Sequence, residues 1–204
     1  IYLIDKDGKV KWKKEMAEKI HGKALAIASR KGNELEILFS TSTKIYLLDE
    51  AGNNVGKFPV SLSFKASNAV SVVDYDSNGE YRFLIAESNK RVYNYTHKGD
   101  PVNGWEAVPM NDVITAPIRY FRTKGLDYIV LVDRSGNVNL LDRKGKSQVK
   151  FKQKFKSLYA NNYQLQVENT LNGSSLYALD SSGICTRLYF SGKLEKNELS
   201  VKGN

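Results

Sequence analysis

Apolar residues in this chain either alternate with polar ones or run together for five or six positions, and polar turns with glycine interrupt them. Ile1-Tyr-Leu-Ile-Asp-Lys-Asp-Gly8 shows the unit: a short apolar run, an aspartate, two polar residues and a glycine. It returns as Ile45-Tyr-Leu-Leu-Asp-Glu-Ala-Gly52, Val92-Tyr-Asn-Tyr-Thr-His-Lys-Gly99 and Val138-Asn-Leu-Leu-Asp-Arg-Lys-Gly145, and in degenerate form as Cys185-Thr-Arg-Leu-Tyr-Phe-Ser-Gly192. The turn glycines are 44, 47, 46 and 47 residues apart, a spacing too even for chance. Asp-x-x-Gly between two apolar runs predicts a hairpin, because glycine accepts the positive φ of the turn. The aspartate side chain can bond the turn's backbone N–H groups.

A second hairpin precedes each of the later units. Ala24-Leu-Ala-Ile-Ala leads through a polar turn to Leu35-Glu-Ile-Leu-Phe, and Ala69-Val-Ser-Val-Val leads through Asp74-Tyr-Asp-Ser-Asn-Gly79 to Tyr81-Arg-Phe-Leu-Ile. Pro117-Ile-Arg-Tyr-Phe turns at Gly125 into Tyr128-Ile-Val-Leu-Val, and Tyr163-Gln-Leu-Gln-Val turns at Gly173 into Leu176-Tyr-Ala-Leu. Four short strands per period of about 46 residues predict an all-β fold, a β-propeller of four-stranded antiparallel blades. The segments lack the spacing of about 3.6 residues that a helical solenoid requires. The blades fall at 23–62, 68–108, 115–155 and 160–201, and residues 1–16 add a two-stranded partial blade. A half blade implies further blades or domains in a longer parent chain, since blades bury their faces only against neighbours.

Composition changes this picture little. Hydrophobic residues at 41% and charged residues at 26% are those of an ordinary globular domain. A single cysteine, Cys185, excludes a disulfide framework and a paired-cysteine metal site. No apolar run is long enough to span a bilayer. Ile1 opens directly on a strand, so either a leader has been removed or the chain is a piece of a longer one. The net charge of +9 is local: seven basic residues between Arg143 and Lys156 leave only +2 elsewhere. One basic strip argues against a nucleic-acid partner, which calls for a broader basic surface.

The opening run Ile1-Tyr-Leu-Ile-Asp-Lys-Asp-Gly-Lys-Val-Lys-Trp12 resembles the repeat of PQQ-like, quinoprotein-type propellers. Later units keep the strand, the acid or its substitute, and the glycine, but their aromatic residue (Phe58, Trp105 or Phe151) falls two positions late. The run from Val72-Val-Asp-Tyr-Asp-Ser-Asn-Gly to Trp105 is similar to propeller regions of uncharacterised Bacteroidota envelope proteins. The resemblance implies a scaffold or recognition role at a periplasmic, outer-membrane or cell-surface address. The PQQ-like label is one of fold and implies no quinone.

Three features are candidates for chemistry. Asp74, Asp76 and Asn78 match the front half of a calcium loop, but Arg82 and Ile85 occupy the ninth and twelfth positions where oxygen ligands belong. A plain turn without a cofactor is the reading, with calcium as its alternative. Lys150, Lys152, Lys154 and Lys156 alternate with Val149, Phe151, Gln153 and Phe155, which places the lysines on one face of an outermost strand. There they discourage pairing with other chains; the alternative is an anionic partner. Propeller ligands meet the loops before the inner strands, so His21, Ser67, Asp112 and Asn162 are the candidate ligand-binding residues. His97 reads as a solvated turn residue, and Trp12 and Trp105 as outer-strand residues packed between blades.

No phosphate-cradling loop and no nucleophile with a base at catalytic spacing occurs. The reading is a non-enzymatic propeller acting as a binding or scaffold domain for a protein or polysaccharide partner. The alternative is a propeller hydrolase or lyase whose site missing blades complete.

Overall fold

The computed structural model describes residues 1–29, 32, 34–105, 109–155 and 163–198. Among them stand seventeen strands and no helix. All strand pairs are antiparallel and form five separate sheets. The first holds β1 (Tyr2–Ile4) and β2 (Val10–Lys13); the second holds β3 (His21–Ala28), β4 (Leu35–Ser40), β5 (Lys44–Leu48) and β6 (Val60–Ser61). The third holds β7 (Ser71–Val73), β8 (Arg82–Glu87) and β9 (Arg91–Thr96). The fourth holds β10 (Arg119–Thr123), β11 (Leu126–Val132), β12 (Val138–Leu141) and β13 (Ser147–Lys150). The fifth holds β14 (Gln164–Gln166), β15 (Ser175–Leu179), β16 (Ile184–Tyr189) and β17 (Leu194–Glu198). Within every sheet the strands lie in chain order, the up-and-down connectivity of a propeller blade.

The turns behave as their residues dictate. Asp5 Oδ1 accepts the N–H groups of Asp7 and Lys9; Asp49 Oδ1 does the same for Ala51 and Asn53, and Asp142 Oδ1 for Lys144 and Lys146. Thr96 Oγ1 takes that role in the third sheet, accepting from Lys98 and Asp100. In each turn the glycine N–H closes onto the carbonyl three residues back, with φ between +81° and +88°. The same turn joins β11 to β12 at Asp133 and Gly136, and β15 to β16 at Asp180 and Gly183.

The third sheet departs from the expected four strands. Beyond β9 there is only an isolated bridge between Tyr95 and Pro101, with Val102 N–H bonded to Asn94 O. Proline has no N–H to donate, so a ladder cannot form through that position. Trp105, expected on that outer strand, lies outside any strand and donates its indole N–H to Val92 O at 2.9 Å.

The chain groups into two compact units, Ile1–Ser88 with Tyr93–Asn103, and Asn89–Val92 with Gly104–Asn204. Each has its own apolar core, centred on the second strands of its sheets. In the first unit Phe83, Leu84, Ile85 and Ala86 of β8 are wholly buried; in the second, Ile129, Val130 and Leu131 of β11 are. A strand apolar on both faces must be covered on both. Each such Phe, Leu or Ile contributes roughly 1.5–3 kcal/mol by leaving water. Neighbouring sheets within a unit supply the cover. The Trp12 indole donates to Glu50 O and lies over Gly52, joining the first and second sheets. Phe190 stacks on Phe121, ring centroids 5.3 Å apart, and the Tyr163 hydroxyl donates to Pro117 O at 2.7 Å, joining the fifth and fourth.

Gly8 and Gly52 share one backbone conformation in different surroundings. A Cβ on Gly8 would meet nothing within 4 Å, whereas one on Gly52 would come 3.0 Å from the Trp12 ring. Gly8→Ala is expected to cost about 1–2 kcal/mol, the strain of a left-handed L residue. Gly52→Ala is expected to cost more, because the tryptophan must also move. Urea unfolding of both variants measures the difference; equal losses would show that the Trp12 contact carries no weight.

Candidate functional site

The loops before the inner strands are the part of each unit where polar side chains gather. In the first unit His21 opens β3, opposite Ser40, and the register slips between His21 and Leu25. Gly22 makes this possible with φ +80°, and a Cβ there would stand 2.5 Å from that of Ala69. The start of β3 therefore rests against Ala69, just before β7. Ser67 N–H bonds Ala86 O, buried Asn68 accepts the Ala86 N–H, and Ser40 Oγ accepts the Val70 N–H.

Two carboxylates hold these loops. Glu18 accepts from both the hydroxyl and the N–H of Thr43, at 2.7 and 3.0 Å, and Thr43, then Thr41, hold its carboxyl below the ordinary range. Glu87, fully buried, accepts the Phe64 N–H at 2.8 Å. Loss of water pushes its carboxyl above the ordinary range, and the Phe64 N–H only partly opposes this.

In the second unit Asp112 has the same occupation. It accepts from its neighbour Val113 N–H at 2.8 Å, from Ser135 Oγ at 2.9 Å and from the exposed Arg134 guanidinium at 3.0 and 3.2 Å. The Val113 N–H first, then Ser135 and Arg134, lower its carboxyl to about 2. Asp112 is thus a loop fastener rather than a free ligand group. Asn162 lies outside the described residues; of the other three candidates, His21 and Ser67 flank the Gly22–Ala69 approach and Asp112 is committed to its own hydrogen bonds.

The half calcium motif forms a turn that uses its own oxygens. Asp74 Oδ1 and Oδ2 accept the N–H groups of Asn78 and Gly79, and Asn78 Oδ1 accepts that of Glu80. Asp76 sits in the same bend, and Arg82 turns its guanidinium onto the carbonyls of Glu80 and Tyr81. Among the described residues no three His, Cys, Asp or Glu side chains gather as metal ligands would.

The basic strip is shorter as a strand than its alternation predicts. β13 ends at Lys150, the partner of Asn139, one residue short of the start of β12 at Val138. Phe155 then turns inward: its N–H bonds Gly136 O and its ring is buried edge-on to Tyr163. Lys152, Gln153 and Lys154 are exposed on this irregular stretch, as is Lys150, while Lys156 lies outside the described residues. β13 is the edge strand of its sheet.

Two charge clusters escape a reading by spacing. His97 is a buried residue, not a solvated one: its Nε2 lies 2.6 Å from Oε2 of Glu36, itself nearly inaccessible on β4, and Ser29 Oγ donates to the other oxygen. Glu36 stands at the second position of an otherwise apolar strand, the only hint in the chain order. In the second unit Asp127 accepts from the Tyr120 hydroxyl at 2.6 Å and pairs with Arg143. Desolvation first, then this carboxylate, pushes the Tyr120 hydroxyl up to about 12. Arg143, Lys144 and Lys146 line a cleft of about 430 Å³ beside Asp127 and Asp142, so its charges of opposite sign largely cancel.

No family model and no curated protein sequence matches the chain. Solved structures do. BBS1N in complex with ARL6DN superposes with a TM-score of 0.63 at 13% identity, over 98% of this chain and 61% of that one. BamB from Moraxella catarrhalis gives 0.57 at 14% identity, over 95% and 57%. The dihydro-heme d1 dehydrogenase NirN, in complex with DHE, gives 0.56 at 8% identity, over 99% and 40%. All three are β-propeller proteins. The likeness is one of fold. Its antiparallel sheets mark the chain as a β-propeller-like protein, and it spans about three fifths or less of each neighbour's length.

Asp112 and the lysines each yield a measurable consequence. The folded carboxyl of Asp112 lies below its ordinary 3.8, so the fold prefers the ionised form; the stabilisation is complete above 3.8 and is lost as pH falls towards about 2. Asp112→Asn is expected to lower the melting temperature at neutral pH, and its deficit against wild type should close over that acid window. A deficit that persists unchanged at pH 2 would assign the effect to shape rather than charge. Exchanging Lys150, Lys152 and Lys154 together for Thr is expected to leave a folded protein that self-associates more in sedimentation, while exchange for Glu preserves solubility. Specific retention of wild type on an anionic polysaccharide, absent from the Glu variant, would favour an anion site instead.

Proposed function

We propose that this chain is a non-catalytic binding platform, a PQQ-like propeller segment of a larger cell-envelope protein, that takes a protein partner at its loop ends. The observation that carries the reading is how the acids at those ends are used. Glu18 and Asp112 each spend both carboxylate oxygens, on Thr43 and on Val113, Ser135 and Arg134, and Glu87 gives one oxygen to the Phe64 N–H. A hydrolase or lyase needs an acid or base aimed at a shared point where a substrate can sit. His21 at the start of β3 and Ser67 ahead of β7 are half-buried polar residues flanking the Gly22–Ala69 approach, a place suited to recognition. The complex of BBS1N with ARL6DN, in which a protein of this fold engages another protein, supports a protein partner.

The test sets binding beside turnover. Purified chain is assayed against chromogenic esters and glycosides and against bacterial polysaccharides, and in parallel immobilised to capture proteins from an envelope extract. No turnover above buffer is expected, with one or a few proteins retained by wild type and lost when His21 and Ser67 are both replaced by Glu. Hydrolysis that disappears with His21→Ala would replace this reading with an enzymatic one.

A further inference from the structure

Asparagine followed by glycine is a reactive pair. The glycine nitrogen can close onto the side-chain amide carbon, and glycine brings no Cβ to hinder the approach. The chain holds three such pairs, Asn78-Gly79, Asn103-Gly104 and Asn172-Gly173, and all three asparagines are exposed. By sequence they stand equal; by their turns they do not.

Ring closure requires the peptide after the asparagine to rotate until its nitrogen faces Cγ. A glycine N–H bonded elsewhere is held against that rotation. Gly79 N–H donates to Asp74 Oδ2 at 2.9 Å, and the Asn78 side-chain carbonyl is occupied, accepting the Glu80 N–H at 2.9 Å. Gly173 N–H donates to Thr170 Oγ1 at 3.1 Å. It is also crowded: a Cβ there would lie 3.1 Å from that hydroxyl and 3.4 Å from the Glu168 Cβ. Asn103-Gly104 has neither restraint. Both residues are exposed, and neither the Asn103 amide nor the Gly104 N–H has a hydrogen-bond partner among the described residues. Gly104 lies in a turn at φ +72°, where a Cβ would meet nothing within 4 Å.

We propose that Asn103 is a site of covalent self-modification, converting to aspartate and isoaspartate in the folded protein. The Gly104 nitrogen bonds to Asn103 Cγ while the bond from Cγ to the side-chain nitrogen breaks. That nitrogen leaves as ammonia, taking the Gly104 amide proton with it, and a cyclic imide remains. Water then adds to one of the two imide carbonyls and breaks its bond to nitrogen. Opening at Cγ leaves aspartate; opening at the backbone carbonyl leaves isoaspartate, with the chain running through the side-chain carbon. Water is the sole co-reactant, and nothing is oxidised or reduced. The position gives the change a consequence. Val102 N–H bonds Asn94 O at 2.9 Å and Pro101 bridges Tyr95, the contacts that hold this stretch to β9. Isoaspartate lengthens the backbone directly after Val102, and either product adds a negative charge, so this rim of the third sheet loosens. This reading concerns a turn of the third sheet and does not rest on the loop-end function proposed above.

The whole chain is incubated in mildly alkaline buffer, and peptide mass spectrometry follows the conversion of each asparagine. Asn103 is expected to convert about tenfold faster than Asn78 and Asn172, the rate equivalent of a hydrogen bond that must open first. In urea, which removes the turns, the three rates are expected to converge. Thr170→Val, which takes away the acceptor of the Gly173 N–H, is expected to speed Asn172 and leave Asn103 as it was. In the converted fraction, separated by charge, amide exchange at Val102 is expected to be faster than in the unconverted protein. Conversion of Asn78 or Asn172 as fast as Asn103 in the folded chain would overturn the proposal. So would a lead of Asn103 that persists in urea, since it would belong to the flanking residues rather than to the turn. An unchanged Asn172 rate in the Thr170 variant would overturn the role given to the glycine bond, and unchanged exchange at Val102 the consequence given for the rim.

Discussion

Every other feature of this protein depends on the burial of strands that are apolar on both faces. β4, β8 and β11 cannot satisfy themselves within one sheet, because a sheet covers neither of its own faces. Each sheet must therefore press against another, and the contacts that accomplish this are large side chains reaching across: Trp12 onto the Gly52 turn, Phe190 onto Phe121, Tyr163 onto Pro117. The tight turns follow from the same demand. Long loops would hold the sheets apart, and an aspartate that folds its own side chain onto two N–H groups keeps the hairpin short without outside partners.

The polar chemistry of the molecule is subordinate to this packing. Where a loop N–H group turns away from water a carboxylate takes its place, as Glu87 does for Phe64 and Glu18 for Thr43. The direction of each pKa shift records how well that exchange is balanced. Asp112 has three kinds of donor and a lowered pKa; Glu87 has one N–H in a buried place and a raised one. These groups are spent on architecture.

The β-propeller-like fold was legible because its signals are local: Asp5, Asp49 and Asp142 act on atoms two to four residues away, and the glycine three residues on needs its positive φ wherever the turn lies in space. The missing outer strand of the third sheet was written in Pro101, though only in hindsight of the turn that precedes it. The candidate site was less legible. Alignment of inner strands placed His21 and Ser67 at loop ends, and they flank the Gly22–Ala69 approach. The same alignment could not tell that Asp112 would be consumed by Arg134 and Ser135, since both partners lie more than twenty residues on.

The amino-acid order alone determined most of the strands, their turns, their order within each sheet and the confinement of positive charge to one strip, because these follow from local spacings repeated about every 46 residues. Tertiary structure decided what spacing cannot carry. His97, a turn residue by its neighbours, became buried because β4 brings Glu36 to it from 61 residues away. The lysine strand stopped at Lys150 against its own alternation, and Phe155 beyond it turned inward onto Tyr163. Asp112 became a fastener because the turn between β11 and β12 brings Arg134 and Ser135 to it, and no residue can encode its neighbour's presence in its own side chain.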